Sequence, residues 1–226
     1  MSKGKFTKSR RRRSGSKSLA LVLACVLLVG GVIGGTLAWL TAKTNEVTNV
    51  FTTSDIGVKL EETETDFKMI PGWTIDKSPR VTVEEGSEDC WLFVEVTEST
   101  DLELSHYIKY AVNMGTESTT DGVIHGGWIR GTDENGVPTN VYYRKVTGVT
   151  ADQVFAVLGS GTYNEYSWDN DEVLTLPEVT KEMMNAVNDS NKPTLTFTAY
   201  AHQLYESKDT PFDPADAWNH VKPATP

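Results

Sequence analysis

Apolar residues recur at every second position through much of the chain after residue 55, broken by polar turn clusters. In Trp91–Glu98 (WLFVEVTE), Leu92, Val94 and Val96 share one parity. Glu95 and Thr97 take the other, which predicts a strand that reaches solvent toward its end. Thr194–His202 (TLTFTAYAH) alternates more strictly, with Leu195, Phe197, Ala199 and Ala201 on one side and the threonines and Tyr200 on the other. Val58 and Leu60 alternate with polar neighbours. Pro79–Glu84, Asn140–Val146 and Gln153–Leu158 hold β-branched and aromatic residues, so each is predicted as a strand. Val123–Ile129 reads as one more, between turn clusters at Thr116–Asp121 and Gly131–Gly136. Pro71-Gly72, Glu85-Gly86-Ser87, Gly159-Ser160-Gly161 and Ser167–Glu172 mark further turns and loops.

The period changes twice. Pro177–Val187 places Val179, Met183 and Val187 on one helical face, with Pro177 and Glu178 suited to a first turn. Asp213-Pro214-Ala215-Asp216-Ala217-Trp218 starts like a capped helix, Asp213 as N-cap and Pro214 at the first helical position. Short strands between turn clusters, plus these two segments, predict a mainly β domain. The expected fold is an antiparallel β-sandwich or jelly roll with one or two short helices.

The first 38 residues follow another rule. They hold eight basic residues and no acidic one. Arg10–Arg13 and Lys17 precede the apolar run Leu19–Ile33, and Gly34–Ala38 supplies small residues. This order predicts a secretory signal peptide cut between Ala38 and Trp39, with the working protein secreted to the cell surface or matrix. Continued to Leu40, the apolar run is long enough to cross a bilayer, so a retained anchor is the alternative. Gly30, Gly31, Gly34 and Gly35 make it a poor helix and favour cleavage. The chain thus divides into residues 1–38, an N-terminal segment 39–55 and a β domain 56–226.

Removing the leader leaves 13 Lys and Arg against 31 Asp and Glu, a formal charge of −18. Such a domain cannot neutralise phosphates, which argues against a nucleic-acid partner. Membrane contact is expected only through an uncleaved leader. Of the two cysteines, Cys25 leaves with the leader, so Cys90 has no intramolecular partner. Its setting, Cys-Trp-Leu-Phe-Val, is that of a buried free thiol.

Candidate chemistry is sparse. His106, His125, His202 and His220 form no His-Glu-x-x-His motif, though His202 and Glu206 stand four apart. Leu158 stands where a nucleophile elbow ending in Gly159-Ser160-Gly161 needs glycine. Asp169, Asp171 and Glu172, and separately Asp133-Glu134-Asn135-Gly136, offer oxygens to calcium without EF-hand spacing. Among six tryptophans, Trp91 reads as core and Trp218 as the anchor of the last helix. Trp128 and Trp168 sit near polar loops as a candidate sugar platform, set against ordinary hydrophobic anchoring. No catalytic residue is assigned.

One resemblance emerges. Gly34-Gly35-Thr36-Leu37-Ala38-Trp39-Leu40-Thr41, then Asn49-Val50-Phe51-Thr52-Thr53-Ser54-Asp55-Ile56 and Val58-Lys59-Leu60, resembles the N-terminus of TasA/camelysin-type proteins of Gram-positive bacteria. Tyr200-Ala201-His202-Gln203 and Asp216-Ala217-Trp218 look like clostridial members of that exported group. Asp55-Ile56-Gly57-Val58-Lys59-Leu60 departs from the group's usual Gly-x-Leu-x-Leu, and the middle of the chain carries no likeness. The resemblance implies processing by a SipW-type signal peptidase and an extracellular jelly roll. It also implies assembly with itself or related subunits into biofilm-matrix fibres, in which a freed N-terminal strand completes a neighbour's sheet. Such β-augmentation needs an extended donor and an open edge. Here Val47, Asn49 and Phe51 share one parity as the donor face, with Thr48 and Val50 on the other. Head-to-tail addition gives an open filament. The alternative is a surface-binding module for carbohydrate or protein that does not polymerise. A metalloprotease reading comes from the camelysin branch, and no metal-ligand motif transfers it.

Overall fold

The two most strictly alternating segments become two of the three nine-residue strands of one sheet. Residues 42–43, 48–49, 55–62, 66–99, 102–188 and 191–223 are described by the computed structural model, within a unit spanning Thr41–Pro226. Ala38 and Trp39 lie outside the described residues. Ten strands form two five-stranded sheets. They are β1 (Thr48–Asn49), β2 (Val58–Glu61), β3 (Arg80–Val83), β4 (Cys90–Glu98) and β5 (Ser118–Thr120). Then follow β6 (Val123–His125), β7 (Ile129–Thr132), β8 (Pro138–Val146), β9 (Gln153–Ala156) and β10 (Leu195–Gln203). The first sheet runs β7-β8-β4-β10-β1 and the second β5-β6-β9-β3-β2. Within these sheets, pairing is antiparallel except between β10 and β1 and between β6 and β9. The fold is mainly β, with two α-helices among the described residues.

Register explains the core. Val96, Val94 and Leu92 of β4 stand opposite Phe197, Ala199 and Ala201 of β10, so all six side chains point to one face. Val58 and Leu60 oppose Val83 and Val81, and Val81 opposes Phe155 in the second sheet. These inward residues of both sheets belong to one buried cluster, as in a sandwich. Each fully buried Leu or Val contributes about 1.5–3 kcal/mol. Cys90 closes the row, buried and without a disulfide.

The outer face of the first sheet has its own cover. Helix α2 (Pro214–Val221) lays Ala217 and Trp218 over Phe93, Val141 and Tyr200. Asp213 caps it, accepting a hydrogen bond from the Ala215 amide at 2.8 Å, with Pro214 at its start. Trp218 is the anchor expected of it. Trp91 faces this side, half-buried, and its indole N–H donates to the Phe212 carbonyl at 2.9 Å. It therefore lies under the C-terminal segment, outside the main core.

Three local expectations are corrected. The stretch 123–129 is two strands in different sheets, because Gly126 (φ +78°) and Gly127 (φ +76°) turn the chain between β6 and β7. Helix α1 spans Lys181–Ala186, shorter than the apolar period suggested. Thr180 caps it by accepting from the Met183 amide at 3.2 Å, which leaves Pro177 and Glu178 before the helix. Thr116–Asp121 is more than a turn: β5 and β6 form a hairpin through Asp121 and Gly122, both with positive φ. Among the described residues no helix is long and apolar enough to cross a membrane.

Candidate strand-addition interface

A sandwich has four sheet edges, and three are built against pairing. At the β7 edge the register shifts between Arg130 and Thr132, around Gly131. The β2 edge exposes Lys59 and Glu61, with Lys59 ion-paired to Glu84. The β5 edge is only Ser118–Thr120, three exposed polar residues. Short, charged or bulged edges discourage further strands.

The fourth edge differs. It is the two-residue β1, and behind it runs β10, nine residues long, LTFTAYAHQ, with no Lys, Arg, Asp or Glu. Its inward residues are fixed by the core and its Tyr200 by α2, where the ring meets Trp218 edge-on at 5.1 Å between centroids. The strand is thus packed on both faces. Thr48 and Asn49 lie along it in parallel, in register with Thr198 and Ala199. Of the three donor-face residues, Asn49 pairs with Ala199, while Val47 and Phe51 lie outside the described residues. The consecutive strands β1 and β2 sit at edges of different sheets.

The other candidate residues are placed elsewhere. The sugar platform is overturned: Trp128 is 2 % exposed and Trp168 is 6 % exposed. Their indole N–H groups donate to the carbonyls of Ala156 (2.8 Å) and Gly159 (3.1 Å), so both are internal anchors with no free ring face. In the loop 169–172, Asp171 takes Arg80 in a bidentate pair at 2.5 and 2.7 Å, and Glu172 accepts the Asp169 amide. Those carboxylates are committed to the fold. Asp133 accepts the amides of Asn135 and Val137 and so closes its own turn. Among the described residues no group of three or more His, Cys, Asp or Glu is arranged to hold a metal ion.

Two features were not visible in the spacing of residues. The first is a cavity of about 710 Å³ between α2 and the β7–β8 hairpin. Phe93, Tyr143 and Trp218 line it together with Asp133, Glu134 and Asp213. The second is the partner of His202. Glu206 is exposed in the short strand Tyr205–Ser207, and the nearest ring nitrogen to His202 Nε2 is His220 Nδ1, at 3.2 Å.

Comparison of the chain with family models, curated proteins and solved structures finds no match.

Proposed function

We propose that this chain is an exported surface or biofilm-matrix protein, a fibre-forming or fibre-associated subunit that assembles by strand addition at β10. The observation that carries the reading is the pairing of Thr48–Asn49 with Thr198–Ala199. It is the sequence-predicted donor segment, and it covers the long uncharged strand β10. A strand held by its own chain at an edge can be exchanged for the same strand of a neighbour, because the contacts are identical in both arrangements. The exchange leaves each subunit with one donor and one acceptor. It propagates head to tail, in keeping with the TasA/camelysin resemblance of the leader and of residues 49–60. The reading assigns no catalytic residue. Its proposed partners are a SipW-type peptidase and other copies or related subunits.

A non-polymerising binding module is the second reading, favoured by the cavity between α2 and the β7–β8 hairpin. Its volume suits a small ligand, and its lining mixes aromatic rings with carboxylates.

Negative-stain electron microscopy separates the two. Protein starting at Trp39 is expected to form filaments, and protein starting at Thr52, which lacks Thr48 and Asn49, is expected to stay monomeric. Monomers from both, with calcium and at mild acid as well, would overturn the fibre reading.

A further inference from the structure

We propose that His202 and His220 form a two-histidine site for a divalent cation of the zinc type, clamping α2 to the end of β10. The nitrogens His202 Nε2 and His220 Nδ1 are 3.2 Å apart. Two imidazoles bound to one tetrahedral zinc, each at about 2.0–2.1 Å, have their nitrogens roughly 3.3 Å from each other. The spacing is therefore already that of a shared ion, and a small tilt of either ring aims both lone pairs at one point.

The surroundings favour the same outcome. His202 Nδ1 lies 2.8 Å from the Gln203 carbonyl, so that nitrogen carries the proton and Nε2 keeps its lone pair. Ligating histidines are held this way, their second N–H given to a carbonyl. His220 now donates from Nδ1. Being exposed, it can move that proton to Nε2 through solvent and free Nδ1 as a ligand. Phe212 fixes both rings by edge contacts, at 4.6 Å from His202 and 5.6 Å from His220. His220 sits in the last turn of α2, where the helix dipole is negative and a cation is favoured. Asp216 lies one turn earlier on the same helix face. Protein supplies two ligands, and water completes the tetrahedron.

The test is calorimetric titration of the full-length chain, purified in mild detergent, with zinc alone, and with calcium and magnesium in parallel. A single saturable zinc site is expected, absent for the other two ions. His220→Ala removes an exposed ring and is expected to weaken zinc by at least about tenfold. His202→Asn is expected to do the same, while His106→Ala changes nothing. Imidazole nitrogen spectra should show zinc at Nε2 of His202 and Nδ1 of His220. An unchanged affinity in His220→Ala with a native circular-dichroism spectrum overturns the site. So does an equal response to calcium, or the absence of zinc binding.

Discussion

The guanidinium of Arg144 lies 4.1 Å from the centroid of the Phe155 ring, a cation placed between the two sheets. Arg144 belongs to the inward parity of β8 and is 4 % exposed. Trp128 flanks it at 5.4 Å. One nitrogen donates to the Gly126 carbonyl at 2.9 Å and another to Glu117 at 2.5 Å, while Nε has no hydrogen-bond partner among the described residues. Burial pulls the guanidinium below its ordinary range, and Glu117 opposes that shift. The cation is tolerated here because two aromatic faces and a carboxylate at the surface replace its water. Arg144→Ala is expected to cost roughly 2–4 kcal/mol through lost packing. Arg144→Met keeps the apolar stem and removes the charge, and should cost less than about 1.5 kcal/mol. Urea denaturation decides; equal losses in both would show that the charge itself is required.

The Cys90 thiol is pushed up to about 12 by burial, with Asp89 adding to the effect. In the folded protein the thiol therefore keeps its proton where the unfolded chain, near the ordinary value of 9.0, loses it. The stabilisation is complete below pH 9 and is lost as pH climbs toward 12. Cys90→Ala is expected to flatten the alkaline limb of stability against pH. Ellman's reagent should label the wild-type thiol only as fast as the protein unfolds, and prompt labelling of native protein would contradict this burial.

Asp213 caps the helix that covers Phe93 and Tyr200. Asp213→Ala is expected to lower stability by about 1 kcal/mol. The loss should be local first: emission from Trp218 and Trp91 should shift red at a lower urea concentration than the main transition. A single coincident transition with unchanged midpoint would refute the role of the cap.

Strand addition makes its own demand on residue 49. Proline there has no N–H and disfavours the sheet. Asn49→Pro in protein starting at Trp39 should abolish filaments and leave the thermal transition of the sandwich within a few degrees of wild type. Filaments of normal length from this variant would count against the β1–β10 pairing as the assembly contact.

How far the sequence foretold these features depended on the range of the interaction. Strands β4 and β10 were legible because each has one face in the core and alternates at period two. Helix α2 was legible because Asp213-Pro214 is a local start signal. The stretch 123–129 was misjudged because its apolar ends, Val123 and Ile129, hide a change of sheet at two glycines. The β5 strand was missed because Ser118–Thr120 has no buried face, although Asp121-Gly122 marks its turn. Trp128 and Trp168 misled by lying beside loops, when carbonyls inside the fold satisfy their indoles. Arg144 in an apolar row and the meeting of His202 with His220 come from contacts between separate elements, which spacing along the chain does not encode.

The pairing of β4 with β10 joins residues far apart in the chain; the Tyr200 hydroxyl reaches Glu95 at 3.3 Å across 105 positions. A sheet centred on so distant a pair closes slowly, on the order of milliseconds to seconds. It cannot close at all until the last strand has been synthesised. A chain emerging N-terminus first therefore stays open for most of its emergence, its β4 apolar row without a partner. Truncations before residue 195 should consequently yield aggregating chains, with no smaller folded domain among them.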